Sequence, residues 1–333
     1  MKPLAIALGD PAGVGPELIA AAFAARHEAG LAPFFAVGGA ATLAAAARAR
    51  GLALAVESIG HPEEAAAVFP RALPVFGAMD AASRPGAPDD AGAQAAFASL
   101  RQATEIVRLG AARALVTMPV AKAALAVAGF AFPGQTEFLA SACARPEDDA
   151  VMMLAGPSLR AVPLTVHCAL AEVPGLLTTA MIVRKARIVH EALRRDFGLA
   201  APRLAVAGLN PHAGESGRFG TEEEAIIAPA VAALREQGLD VTGPVPGDAL
   251  FTPRARAGYD AALAMYHDQA LIPLKALEFD EGVNVTLGLP IVRTSPDHGT
   301  AFDIAGQGIA HPGATIAAIR MAGTIAANRA AHG

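Results

Sequence analysis

Brief apolar runs alternate with longer alanine-rich stretches along most of the chain. Residues 4–8 (Leu-Ala-Ile-Ala-Leu) read as a strand that stops at Gly9-Asp10. Residues 17–26 read as a helix entered through Pro16, because proline is favoured in a first helical turn. Residues 114–117 predict another strand, followed by a turn and a helix around Lys122. Residues 150–154 and 161–166, joined at Gly156-Pro157, predict a hairpin, and residues 204–208 and 261–265 further strands. Strands alternating with helices in this way predict an α/β architecture with largely parallel sheets. Residues 29–47 carry no charge and are long enough to suggest a membrane span. Pro33 and Gly38-Gly39 divide that stretch into a buried strand (34–37), a turn and a helix from Thr42 onward. The run 4–8 is too short for a signal-peptide core and no cleavage site follows it. The expectation is therefore a soluble, cytoplasmic protein without a membrane segment. Residues 81–92 are the most linker-like stretch, or simply a surface loop, and no internal repeat is present.

Composition narrows the class. A length of 333 residues suggests two domains at about 150 residues each. Hydrophobic residues at 53% against charged residues at 17% supply ample core and exclude a disordered chain. The net charge of −5, without a long run of one sign, argues against nucleic acid as a main partner. Two cysteines, Cys143 and Cys168, cannot build a disulfide framework or a cysteine zinc site. Only four of the 26 basic residues are lysine (Lys2, Lys122, Lys185, Lys275), and asparagine is equally scarce. A lysine or asparagine that survives such a bias is a better candidate for required chemistry, because Lys and Arg are not interchangeable at such sites.

Three of the nine histidines share a context. His167 ends an apolar strand, His212 follows the strand 204–208, and His267 follows the strand 261–265. Ligands in open α/β sheets bind beyond the carboxyl ends of strands, so the three can converge. Any one alone reads as an ordinary hydrogen-bonded histidine. Three in one context point to zinc or a similar divalent ion, with Asn210, Glu215 and Asp268 as residues to orient them. The turn Pro133-Gly134-Gln135-Thr136 enters a helix and offers donors to a phosphate or carboxylate, or else Thr136 is a plain N-cap. Lys275, Asn284 and Arg293 could each donate to a phosphoryl group, Arg293 bidentately; Lys275 and Arg293 read equally as solvated surface cations. The Rossmann signature G-x-G-x-x-G is absent. Gly9-Asp-Pro-Ala-Gly-Val-Gly-Pro-Glu17 is a weak hint of an anion loop or a tight β–α turn, and residues 295–312 form a loop entering a helix with Asp303 as a possible cap.

Together these motifs (Gly9 to Glu17, Gly134-Gln-Thr-Glu137, Asn210-Pro-His-Ala-Gly-Glu-Ser-Gly-Arg-Phe-Gly220, Tyr266-His-Asp-Gln269 and the segment 298–312) resemble the 4-hydroxythreonine-4-phosphate dehydrogenase family of vitamin B6 biosynthesis. The segment 299–308 is similar to the NAD-contacting loop of isocitrate and isopropylmalate dehydrogenases. The resemblance implies two α/β/α domains with a ligand cleft between them, residues 1–130 plus 275–333 forming the dinucleotide-side domain and 131–274 the metal and dimer-interface domain. It implies a homodimer using NAD or NADP and a divalent metal (Zn, Co or Mg), with His167 and His212 of one subunit and His267 of the other as ligands. It assigns a small phosphorylated amino-acid substrate to Gln135, Thr136, Lys275, Asn284 and Arg293, and the dinucleotide to His298, Gly299 and Asp303. Lys275 is a further catalytic candidate, and Asp248, Asp268 or a water on the metal are candidates for the general base. The expected reaction is oxidation of 4-phosphooxy-L-threonine at C3, then decarboxylation to 3-amino-2-oxopropyl phosphate. Alternatives are a sibling dehydrogenase for threonate or erythronate 4-phosphate, a cyclic-diol dehydrogenase, a non-redox acyltransferase-like enzyme, or a hinged ligand-binding module. The chain departs from the family at Gln135, where a histidine is usual; glutamine keeps a neutral N–H donor and gives up any positive charge.

Overall fold

The structure is a computed structural model that describes residues 2–82 and 84–332. In chain order those residues form strands β1 (Leu4–Ala7), β2 (Phe34–Val37), β3 (Ala55–Ile59), β4 (Ala72–Phe76), β5 (Leu115–Thr117), β6 (Val151–Ala155), β7 (Arg160–Pro163), β8 (Arg203–Ala207), β9 (Asp240–Val245), β10 (Ala261–Ala264), β11 (Val283–Leu287) and β12 (Arg293–Pro296). The fold is α/β, and the chain divides into two compact units.

The first unit comprises Met1–Glu147 and Leu289–Ala327. Its strands lie in the order β3-β4-β2-β1-β5-β12, and every pairing is parallel. Every residue of β1 and β2 is buried, as a parallel sheet covered on both faces requires. The helix Gly15–Ala24 opens with Pro16 as the sequence predicts. The uncharged stretch 29–47 resolves into β2, a glycine turn and the helix Ala40–Ala49, and among the described residues no helix is long and apolar enough to cross a membrane. The segment 81–92 is not an inter-domain linker. It is a loop that enters the helix Asp90–Arg108, where Asp89 accepts a bond from Gly92 N at 2.7 Å as the N-cap; Ser83, which falls in it, lies outside the described residues.

The second unit comprises Asp148–Gly288 and Asn328–Gly333. Its strand order is β11-β6-β7-β10-β8-β9; β11, β6 and β7 pair antiparallel, and β7, β10, β8 and β9 pair parallel. The hairpin predicted at Gly156-Pro157 is β6–β7, although β7 ends at Pro163 rather than at residue 166. The helix Thr179–Arg195 buries Ile182, Ala186, Val189 and Leu193, the one-face spacing of an amphipathic helix, and Thr178 caps it by accepting from Met181 N.

The unit boundaries fall at 147/148 and 288/289, whereas the resemblance implies 130/131 and 274/275. Packing decides both. Phe130, Phe132 and Phe138 cluster with Phe97 of the helix Asp90–Arg108, which keeps residues 131–147 with the first unit. β11 pairs with β6 from Val283↔Ala155 to Leu287↔Val151, which keeps residues 275–288 with the second.

Candidate active site

β7, β10 and β8 are adjacent and parallel, so their carboxyl ends share one edge of the second unit's sheet. The three histidines follow these ends. His167 lies four residues past β7, His212 in the turn after β8, and His267 opens the helix His267–Glu278 after β10. The rings of His167 and His267 are 5.9 Å apart between centroids. His267 Nδ1 bonds Asp268 Oδ1 at 2.7 Å, which leaves Nε2 as the nitrogen to ligate. His212 lies in the adjoining hollow with Asp248, and Tyr266 and Asp268 line both. Gln269 ties the two strand ends: its Oε1 accepts from Met265 N at 2.6 Å and its Nε2 donates to Gly208 O at 2.8 Å.

The histidine chemistry fits a divalent ion, and one ring is oriented by a carboxylate as metal-binding imidazoles commonly are. Yet among the described residues no group of three His, Cys, Asp or Glu side chains in one chain lies close enough to hold an ion. The chain brings His167 to His267; His212 is not brought to them. Of the residues expected to orient the histidines, only Asp268 bonds a histidine ring directly. Asn210 bonds Glu222 and Glu223, and Glu215 pairs with Arg218 at 3.6 Å.

The backbone at these histidines is unusual. His167 has φ +53°, and from His212 to Gly217 six consecutive residues have positive φ, four of them not glycine. Each such non-glycine residue costs about 1 kcal/mol, and strain of this kind collects at functional sites. The motif containing Asn210 and Gly220 therefore encodes a left-handed turn.

In the first unit Arg293, the first residue of β12, is 5% exposed. Its Nη2 donates to Thr117 Oγ1 at 2.8 Å and to Gln135 Oε1 at 3.1 Å. Burial lowers its pKa to about 10, with Glu137 opposing the shift, so the guanidinium stays cationic at neutral pH. It is a buried cation and not a solvated surface one. Gln135 opens the helix Gln135–Ala142 and also donates from Nε2 to Met118 O at 3.3 Å. The N-cap is Gly134, without a side-chain cap, and not Thr136, which is the second helical residue. The first-turn N–H groups of this helix and the Arg293 cation are donors of the kind an anion accepts from. Thr117 was not singled out in the sequence, and only the pairing of β12 with β5 reveals it.

Lys275 and Asn284 belong to the second unit, on the helix His267–Glu278 and on β11. Asn284 Oδ1 is buried without a hydrogen-bond partner, an acceptor suited to a donor on a ligand. Asp248 is exposed in the short helix Gly247–Leu250.

The loop 297–310 of the first unit carries His298, Gly299 and Asp303. His298 Nδ1 lies 2.9 Å from Gly299 O, which places the proton there and leaves Nε2, buried and without a partner, as an acceptor. Burial lowers the His298 pKa despite Asp297 nearby, which keeps the ring neutral. Asp303 is exposed and well short of the helix Gly313–His332, so it is not the cap of that helix. The loop is docked by the motif that the sequence left as an anion-loop hint: Val14 N donates to Thr300 O at 2.9 Å and Gly306 N to Glu17 Oε2 at 3.2 Å. Arg50 Nη2 donates to Ala310 O at 2.8 Å, and its Nη1 lies 3.6 Å from Glu17 Oε1. The Gly9–Glu17 turn thus holds another loop.

Comparison with known proteins gives the family. Residues 31–322 match the sequence model of the pyridoxal phosphate biosynthetic protein PdxA. A 4-hydroxythreonine-4-phosphate dehydrogenase of Erythrobacter litoralis is 62% identical over 329 residues, covering 99% of this chain and 98% of that protein. Among solved structures, the 4-hydroxythreonine-4-phosphate dehydrogenase of Klebsiella pneumoniae superposes with a TM-score of 0.86 at 41% identity, covering 98% of each chain. A terephthalate 1,2-cis-dihydrodiol dehydrogenase of Burkholderia xenovorans is more distant, with a TM-score of 0.65 at 31% identity over 97% of this chain and 98% of that one. The chain belongs to the PdxA family.

Proposed function

We propose that the protein is a cytoplasmic 4-hydroxythreonine-4-phosphate dehydrogenase, which oxidises 4-phosphooxy-L-threonine at C3 with NAD or NADP and decarboxylates the β-keto acid to 3-amino-2-oxopropyl phosphate, in pyridoxine 5'-phosphate biosynthesis. The observation that carries this reading is the likeness, along almost the whole chain, to relatives bearing that name. The residues present suit each part of the chemistry.

Arg293 binds the substrate phosphate as a desolvated cation, and the first-turn N–H groups at Gln135 and Thr136 add donors. Gln135 Oε1 holds the guanidinium fork in one orientation. Lys275 supplies a second cation, and Asn284 Oδ1 accepts a donor from the substrate. Fixing the phosphate, which does not react, lets its binding energy position the neighbouring C3. His298, with its unpartnered Nε2 acceptor, Gly299 and Asp303 on the same loop would hold the dinucleotide. A bound dinucleotide would supply a hydride acceptor for C3, and a bound divalent metal would supply Lewis acidity at the oxygen on that carbon. The hydroxyl proton leaves to a carboxylate. Asp248, exposed beside His212, is free for that role, whereas Asp268 is occupied in holding His267.

His167, His212 and His267 hold the metal in a homodimer. Among the described residues one chain does not assemble three ligands, and exposed apolar residues surround the histidines: Leu170 lines the hollow of His167, Ile272 that of His212, and Phe219 lies 6.1 Å from the His212 ring. A second copy of the chain would cover them.

The test is NADH formation from 4-phosphooxy-L-threonine, with threonate 4-phosphate in parallel, before and after chelation of metal, on protein whose oligomeric state is fixed by sedimentation. Metal-dependent turnover of the amino substrate by a dimer is the expected result. Preference for threonate phosphate would move the protein to a sibling activity, and full turnover after metal removal would overturn the metal role.

A further inference from the structure

Glu223 is 3% exposed, and no ion pair to a basic side chain is formed by it among the described residues. Both of its oxygens are used on one residue. Oε1 accepts from Asn210 N at 2.7 Å and Oε2 from Asn210 Nδ2 at 2.9 Å, while the same Nδ2 donates to Glu222 Oε2 at 2.8 Å. The carboxylate is delivered by a single π-helical turn, Glu223–Ile227, an irregularity frequent at functional sites. The surrounding chain is shaped to admit it: a Cβ on Gly214 would stand 2.8 Å from Glu223 Oε2.

Asn210 is the residue from which the left-handed run departs, two positions before His212. His212 is exposed, and its ring lies 6.1 Å from that of the exposed Phe219. Its direction is therefore set by the backbone, and the backbone is set by the grip on Asn210. A buried carboxylate that satisfies two donors of one turn fixes that turn more firmly than a neutral acceptor would.

We propose that Glu223 is a positioning residue for the metal ligand His212, acting through Asn210. This rests on the reading of His212 as a ligand given above. Partners that orient ligands from behind typically contribute 10–100-fold in metal affinity.

The test measures Co²⁺ affinity by competition with a chromogenic chelator, on the full chain in its native oligomeric state. Glu223→Gln is expected to weaken binding by roughly tenfold or more, with circular dichroism unchanged. In a His212→Ala background the same substitution should add no further loss, because its effect passes through that ring. Asn210→Ala, which keeps the backbone bond and removes the two side-chain bonds, should give a smaller loss and serves if Glu223→Gln fails to fold. Affinity within twofold of the unsubstituted protein in both variants, or a loss that adds fully to that of His212→Ala, would overturn the proposal. If the unsubstituted protein binds no Co²⁺, the metal reading fails and this inference falls with it. Binding by the unsubstituted protein with an indifferent Glu223 rejects this inference alone.

Discussion

At Arg293 the environment of one side chain turns a generic cation into a specific one. A guanidinium on the surface would bind phosphate weakly against water and salt; at 5% exposure its solvation has been replaced by Thr117 and Gln135. Gln135 then has a reason to be uncharged. Its Oε1 accepts from the guanidinium, which a protonated histidine in that place could not do. Gln135→Ala should raise KM for the phosphorylated substrate about tenfold, what losing about 1.4 kcal/mol from a hydrogen bond to a charged group implies. The KM for dinucleotide should not move. Steady-state kinetics with each substrate varied in turn decides this, and an unchanged substrate KM would show that Gln135 does not orient Arg293.

The elements of the first unit show how a loop without regular structure is held in place. The segment 297–310 is anchored to the Val14 amide, to Glu17 on the helix Gly15–Ala24 and to Arg50 just past the helix Ala40–Ala49. Glu17 Oε1 and Arg50 Nη1 are both buried and make no hydrogen bond, so their 3.6 Å approach is a charge pair alone. Neutralising one partner leaves the other charge uncompensated. Glu17→Gln keeps an acceptor for Gly306 N but removes that compensation. Dinucleotide binding should weaken roughly tenfold, about 1.4 kcal/mol, with the substrate KM unchanged. Isothermal titration with NAD measures it. Equal affinity in the variant would mean that Gly306 and Val14 suffice to seat the loop.

At the scale of the whole molecule, the chain's C-terminal end closes on the second unit. Asp196 is 1% exposed in its side chain and accepts from Arg329 Nε at 2.7 Å and from Arg195 Nε at 2.7 Å; Asn328 Nδ2 donates to the Asp196 carbonyl at 2.7 Å. Burial alone would raise the Asp196 pKa, but the bonds from Arg329 and Arg195 outweigh it and hold the carboxyl below its ordinary value of 3.8. A depressed carboxyl pKa stabilises the fold above the unfolded value and ceases to do so as pH falls through the folded one. Thermal unfolding should therefore move to lower temperature as pH drops below about 4. Arg329→Ala should cost about 3 kcal/mol near neutral pH and flatten that acid dependence. Melting curves between neutral and acid pH test both. A variant melting like the unsubstituted protein would show that the C-terminal residues are not part of the second unit's stability.

Much of this molecule was legible in the order of its residues. Apolar runs bounded by Gly and Pro marked β1, β2, β5 and the β6–β7 hairpin, because strand and turn preferences act over a few neighbouring residues. The scarcity of Lys and Asn drew attention to Lys275 and Asn284, and the histidines after strands 7, 10 and 8 were recognisable before those strands were known to be adjacent. Other features exist only once distant segments meet. Arg293 could be a buried cation or a surface one until β12 paired with β5. The carboxylates of Glu17 and Glu223 act on segments 289 and 13 residues away, which no local pattern marks. The boundaries at 147 and 288 follow from aromatic clustering and from β11 pairing with β6. Local sequence sets dihedral preference and periodicity, whereas burial and the partner of a charge are properties of the assembled fold.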